Sequence, residues 1–129
     1  VKLYFGDNLK SWILSIIPDS IAAFEGKLIK TQLTESMYDS AILNELGEPK
    51  PFTVGEFTAI VRDLLTKQPK GENGMLLTNG YANIFYVQLE DRVVAVRVHW
   101  SSDRRGWGLG ANDLDDYRWR AGYCVFSRS

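Results

Sequence analysis

The sequence is short of the residues from which covalent and metal staples are made. One cysteine, Cys124, and one histidine, His99, stand among 129 residues, so neither an internal disulfide nor a cysteine-built zinc site can form. No stretch approaches the roughly 20 apolar residues of a membrane-spanning helix. The longest near the N-terminus, Trp12 to Ile17, is interrupted by Ser15 and closed by Pro18. Val1 to Pro18 also lacks the basic segment, apolar core and small-residue cleavage site of a secretory leader. An excess of either charge is missing too: Lys plus Arg number 15 against 16 for Asp plus Glu. The summed field therefore offers nucleic acid or anionic membrane no long-range attraction, and a polyanion would have to use a local patch. These absences lead to expectations of no metal, no cofactor, no membrane association and a cytoplasmic protein.

What is present is the material of a folded domain. Apolar residues make up 45% and charged residues 24%, and a domain of this length buries roughly two thirds of its unfolded surface. In the first half the apolar spacing is helical. Asp7 stands as an N-cap before Leu9, Trp12, Ile13, Ile16 and Ile17, and Pro18 closes that helix. Ile21, Phe24, Leu28 and Ile29 repeat the pattern to about Leu33. Thr34 or Ser36 caps a third segment with Met37, Ala41, Ile42 and Leu46 on one face and Gly47 as its stop. Pro49 and Pro51 force an extended link, a natural boundary. Thr53 and Glu56 then form a capping box ahead of Phe57, Ile60, Val61, Leu64 and Leu65.

Beyond the polar loop Gln68 to Gly74 the period changes to two. Phe85, Val87 and Leu89 alternate with Ile84, Tyr86 and Gln88, and Val94, Val96, Val98 and Trp100 with Val93, Ala95, Arg97 and His99. Glu90 and Asp91 form the turn between them. Trp107, Leu109 and Ala111 mark a third strand, Gly122 to Ser127 a last one, and Met75 to Thr78 a short edge strand. The expectation is an α+β protein in which about four N-terminal helices pack on or beside a C-terminal antiparallel sheet of four to five strands. Residues 1–50 would be a helical extension and residues 51–129 a helix-plus-sheet module, together one compact unit.

Arginine and tryptophan concentrate in that sheet. All seven lysines lie at or before Lys70, whereas seven of eight arginines lie at or beyond Arg92 and three of four tryptophans at or beyond Trp100. A planar guanidinium and a large ring give contact area at small entropic cost, so this end is where a partner is sought. Arg97, His99, Arg104, Arg105, Trp107, Tyr117, Arg118, Trp119, Arg120 and Tyr123 form the densest set. The competing reading places Trp107 and Trp119 in the core and pairs the arginines with Asp103, Asp113, Asp115 and Asp116.

Other constellations are weaker. Gly106, Gly108 and Gly110 alternate along a strand and leave one face without side chains, open to close approach by a ligand or by a packing neighbour. They lack the spacing and the strand-to-helix setting of a dinucleotide fingerprint. Glu25 to Leu28 lacks the upstream glycine and following hydroxyl of a phosphate loop. Asn112 to Asp116 lacks calcium-loop spacing. His99 and Cys124 can be written as base and nucleophile, but any chain with one of each allows it; a half-buried histidine and a small core thiol are the plainer reading.

The stretch Phe52 to Leu65, the run Lys67-Gln68-Pro69-Lys70-Gly71, the segment Asn79 to Val87 and the ending Trp119-Arg120-Ala121-Gly122-Tyr123-Cys124-Val125-Phe126-Ser127-Arg128 together resemble a family of small uncharacterised bacterial and phage-associated proteins. The resemblance covers residues 52–128 and implies one module there, with the N-terminal helices as an addition. It implies no activity, cofactor or catalytic residue. The ending is also similar to C-type-lectin-like display domains, which implies a sheet presenting aromatic and polar residues, although their cysteine pairs and calcium ligands are missing here.

Three functional expectations follow. The first is a non-catalytic module binding a protein partner through Arg97, Arg104, Arg105, Trp107, Arg118, Trp119, Arg120 and Tyr86. The second is single-stranded nucleic-acid binding on the same sheet, with bases stacked on Trp107, Trp119 or Tyr86 and Arg97, Arg104 and Arg120 tracking phosphates. The third is a cysteine-dependent enzyme using Cys124 and His99. The N-terminal helices either complete the core or form a homodimer through Trp12, Ile13, Ile16 and Ile17.

Overall fold

Strands whose residues are apolar in both phases need cover on both faces. Ile84, Phe85, Tyr86 and Val87 are all 3% exposed or less, so neither face of this strand meets water. A computed structural model, which describes residues 1–129, shows how that cover is built. In chain order the elements are β1 (Leu3–Phe5), α1 (Asp7–Trp12), a 3-10 turn (Leu14–Ile16), β2 (Leu28–Gln32), β3 (Met37–Tyr38), α2 (Asp39–Glu45), β4 (Phe52–Thr53), α3 (Val54–Lys67), β5 (Asn83–Gln88), β6 (Val93–Ser101), β7 (Gly106–Asp113), β8 (Arg118–Trp119) and β9 (Cys124–Arg128).

Seven strands form one mixed sheet in the order β1-β7-β6-β5-β9-β2, with β4 also paired to β5. The hairpins β5–β6 and β6–β7 are antiparallel, as is β2–β9. The pairs β1–β7, β4–β5 and β5–β9 are parallel. A small second sheet joins β3 to β8.

Alternation sorts the side chains onto two faces. On the first face Phe85, Val87, Val94, Val96, Val98, Trp107, Leu109, Cys124 and Phe126 pack against α3 through Phe57, Ile60, Val61, Leu64 and Leu65. The helix starts where the Thr53–Glu56 capping box sets it, with Thr53 Oγ1 accepting from the Glu56 amide at 3.1 Å and Glu56 Oε1 from the Thr53 amide at 2.9 Å. Arg128 at the end of β9 donates to the same carboxylate at 2.5 Å, and this hydrogen bond is the main cause of a Glu56 pKa below the usual glutamate range. No helix is long and apolar enough to cross a membrane.

On the second face Ile84, Tyr86, Ala95 and Val125 pack under Ile42 of α2, Leu33 and Trp119. Asp39, in the first turn of α2 and with no exposed surface, ties this layer down. Its carboxylate accepts from the Tyr86 hydroxyl at 2.7 Å, the Trp119 indole at 2.6 Å and the Asp115 amide at 2.7 Å. Asp115 reciprocates by accepting from the Ser40 amide at 2.9 Å and from the Ser40 hydroxyl. Burial, and then the charge of Asp39, push the Tyr86 phenol far above its ordinary pKa, so it remains a donor.

The expected arrangement of about four helices and an antiparallel sheet of four to five strands is therefore corrected to three α-helices and a mixed sheet of seven strands. The first helix stops at Trp12, and its N-cap is Gly6 rather than Asp7. The segment predicted as the second helix is irregular to Lys27 and then becomes strand β2, which pairs with β9 over five residues. Helix preferences differ by only about 0.7 kcal/mol per ordinary residue. A net gain of ~1 kcal/mol per ladder hydrogen bond outweighs that wherever an unpaired strand lies alongside. The third helix is confined to Asp39–Glu45, because Met37 and Tyr38 pair with β8. Met75 to Thr78 is not a strand. Its backbone is satisfied by two buried side-chain amides: Gln68 accepts from Leu76 at 3.0 Å and donates to its carbonyl at 3.1 Å, while Asn83 accepts from Leu77 at 2.8 Å. Parallel pairing was illegible because it depends on crossovers; β4, α3 and β5 form one such unit, with α3 as the connection.

Asp39→Asn turns one acceptor oxygen into a donor facing existing donors, and should cost on the order of 2–4 kcal/mol. Tyr86→Phe removes one hydrogen bond and should cost about 1 kcal/mol in urea unfolding; equal effects would show that Asp39 is not the hub. Because the Glu56 carboxyl titrates lower when folded, its contribution is present above the ordinary glutamate range and is lost as pH falls through the folded value. Glu56→Gln should flatten that acid limb of the stability curve.

Candidate functional site

The second layer covers only half of its face. Beyond Trp119 the strands β6 and β7 continue uncovered, and their outward residues pair in register: Arg97 opposite Gly110, His99 opposite Gly108, Ser101 opposite Gly106. The glycines are needed because their neighbours lie flat over them. A Cβ on Gly108 would sit 2.5 Å from His99 Cε1, and one on Gly110 would sit 3.1 Å from Arg97 Nε. A Cβ on Gly106 would meet the Tyr4 ring at 2.7 Å. The bare strip foreseen in the sequence is thus filled from within, by side chains of β6 and β1.

Two adjoining clefts result, and they share Arg97 and His99. The first, about 300 Å³, lies toward β1, with Tyr4, Ser101 and Arg104 in its walls and Gly108 and Gly110 as its floor. The second, about 460 Å³, lies toward β8 and is lined by Tyr117, Arg118, Arg120 and Tyr123. Neither lining contains an aspartate or glutamate.

The cations of this face are not neutralised. Salt bridges join Lys67 to Asp63, Arg92 to Asp91 and Asp113, and Arg128 to Glu56, and none involves Arg97, Arg104, Arg105, Arg118 or Arg120. Arg97 lies 5.6 Å from the Tyr117 ring centre and Arg104 4.8 Å from that of Tyr4, so the guanidinium planes are held against rings. The Tyr4 hydroxyl donates to the Arg104 carbonyl at 3.0 Å, anchoring the turn that carries this arginine. His99 is half-buried, and its pKa is lowered by that burial and then by the charges of Arg97 and Arg104. The imidazole is therefore neutral at physiological pH and sits in a positive potential.

Of the residues expected to bind, Arg97, Arg104, Arg118 and Arg120 are brought together around these clefts. Arg105 is exposed in the β6–β7 turn, with φ 51°, and lines neither. Tyr86, Trp107 and Trp119 are interior, 3%, 0% and 4% exposed. Trp107 belongs to the first face, where its indole donates to the Gln68 carbonyl at 2.8 Å. The expected pairing of the arginines with neighbouring acids does not occur either; Asp113 is taken by Arg92 and Asp115 by Ser40. Tyr4 and Ser101 escaped the sequence reading. Tyr4 had no local signal, because only the parallel β1–β7 pairing brings residue 4 beside residue 108.

Cys124 and His99 are not brought together. Cys124 packs with the α3 face and His99 lines the opposite one. Of the residues named for a homodimer, Ile13 is buried, Trp12 is half-buried with the Arg92 guanidinium 4.4 Å from its ring, and Ile16 is 50% exposed. Comparison with family models, with curated proteins and with solved structures returned no match to this chain.

Gly108→Ala should lift the imidazole off its seat. The expected result is a His99 pKa that returns toward the ordinary value, read by NMR from the only histidine of the chain; an unchanged titration would mean that the ring does not rest on Gly108. Cys124, whose pKa is raised chiefly by burial, should resist alkylation at neutral pH until the protein is denatured.

Proposed function

We propose that this protein is a non-catalytic interaction module that receives an acidic segment of a protein partner across the open half of its sheet. The observation that supports this best is a groove lined by Arg97, Arg104, Arg118 and Arg120 in which no carboxylate supplies the counter-charge. An uncompensated cluster of guanidinium groups raises local anion concentration, and each fork offers paired donors to a carboxylate. Tyr117, 46% exposed, adds apolar contact area in the lining of the second cleft.

Single-stranded nucleic acid remains the second reading for the same groove, favoured by the row of arginines across the strands. The rings named for base stacking, Tyr86, Trp107 and Trp119, are buried, which leaves it phosphate contacts and Tyr117.

A labelled oligoglutamate peptide should bind with an affinity that falls as salt rises, because exposed charges are screened beyond about 8 Å at physiological ionic strength. The triple charge reversal Arg97→Glu, Arg118→Glu, Arg120→Glu should weaken it at least ~10-fold, since two or more charge-assisted contacts are lost. Unaltered affinity in that variant would overturn the assignment, and tighter binding of a labelled single-stranded oligonucleotide than of the peptide would favour the second reading.

A further inference from the structure

The two clefts are not equivalent. The second, about 460 Å³, adds Tyr117, Arg118, Arg120 and Tyr123 to the shared Arg97 and His99, whereas the smaller first cleft, about 300 Å³, sets Arg97, Arg104, His99 and Ser101 beside the glycines of β7. We propose that this first cleft, where Arg97, Arg104, His99 and Ser101 meet above Gly108 and Gly110, is a subsite for the phosphate group of a phosphorylated side chain on the partner. This rests on the reading of the open face as a protein-binding surface and names the chemical group that the surface selects.

The donor set exceeds what a carboxylate uses. A carboxylate is satisfied by one guanidinium fork, while a phosphate monoester carries a charge of about −1.5 to −2 at neutral pH and three acceptor oxygens. Arg97 comes from the middle of β6, Arg104 from the β6–β7 turn, and neither has a carboxylate within salt-bridge distance. His99, held neutral between them, keeps one ring N–H to donate, and the Ser101 hydroxyl stands at the same wall. The pieces are arranged before any ligand arrives. Arg104 is positioned by its stacking on Tyr4, by the Tyr4 hydroxyl on its carbonyl, and by its own amide donating to Ser101 Oγ at 3.3 Å. The floor consists of glycines, which lets the His99 ring and the Arg97 guanidinium lie flat along the strand and present their N–H groups in the cleft.

The same geometry argues against a nucleotide chain in this cleft. Its only rings besides the imidazole are Tyr4, whose face is covered by Arg104, and half-buried Phe5, which packs on the core. A base would find no free platform.

The charged and titratable groups around His99 are Arg97 on its own strand, Arg104 on the turn and Tyr4 on β1 in the first cleft, and Tyr117, Arg118, Arg120 and Tyr123 in the second; β7 contributes none. A bound dianion opposes the effect of the two arginines, so it must raise the His99 pKa, and by linkage the protonated ring and the bound dianion favour each other. NMR titration of this single imidazole with inorganic phosphate should show a saturable shift and a raised pKa. A peptide with one phosphoserine should bind at least ~10-fold tighter than the same peptide with glutamate in its place. Arg97→Gln with Arg104→Gln should abolish both effects, and Arg118→Gln with Arg120→Gln should leave the response to inorganic phosphate intact. An imidazole pKa unmoved by saturating phosphate, or equal affinity for the phosphoserine and glutamate peptides, would overturn the subsite while leaving acidic-peptide binding to stand or fall by its own test. A single-stranded oligonucleotide moving the same resonance at lower concentration than the phosphopeptide would overturn the assignment to a phosphorylated side chain.

Discussion

A carboxylate without exposed surface is tolerated only where donors surround it, and Asp39 meets that condition through three different parts of the chain. Its oxygens accept from the phenol of β5, the indole of β8 and the backbone ahead of β8, all at 2.6 to 2.7 Å. Each donor left unpaired in that interior would cost about 1–3 kcal/mol, so the three elements are bound to one position rather than merely to an apolar surface. Without this hub the second face would carry only the smaller hydrophobic cluster, eight buried residues against 21 on the α3 side.

Where that hub holds the cover also determines where the cover ends. Trp119 closes the apolar part of the second face, and the next outward residues along β6 are Arg97 and His99 rather than valine or isoleucine. The opposite strand answers with glycines, which removes the steric obstacle to laying long polar side chains flat. One half of the face is thus packed as core and the other is furnished with cations that form no salt bridge within the molecule. Cation–π contacts hold two of these guanidinium groups, those of Arg97 and Arg104, against the Tyr117 and Tyr4 rings, so they have less conformational freedom than free surface arginines.

What could be read in advance divides by range of interaction. Helix α3 was legible to its cap, because the Thr53–Glu56 box, the apolar spacing and the Pro51 boundary are all local. The hairpins β5–β6 and β6–β7 were legible for the same reason. Strand β2 was not: Ile21, Phe24, Leu28 and Ile29 have helical spacing, and only the empty edge of β9, nearly a hundred residues later, recruits residues 28–32 as a strand. The arginines of the site were identifiable from their crowding after Arg92. Which aromatic residues stand with them was not, since Trp107 and Tyr86 differ from Tyr117 and Tyr4 in burial rather than in chemistry.

By itself, then, the order of residues determined the features that neighbours in the chain decide: one long capped helix, three successive strands, one of them with a face of glycine, and a C-terminal third rich in guanidinium groups. Tertiary structure alone decided that the sheet is mixed, that its two edges come from the first 32 residues, that the tryptophans turn inward and that Tyr4 closes the basic pocket. The reason is physical. Parallel pairing and burial of a given ring depend on which distant segment satisfies an exposed ladder or an uncovered face, and no local period encodes that choice.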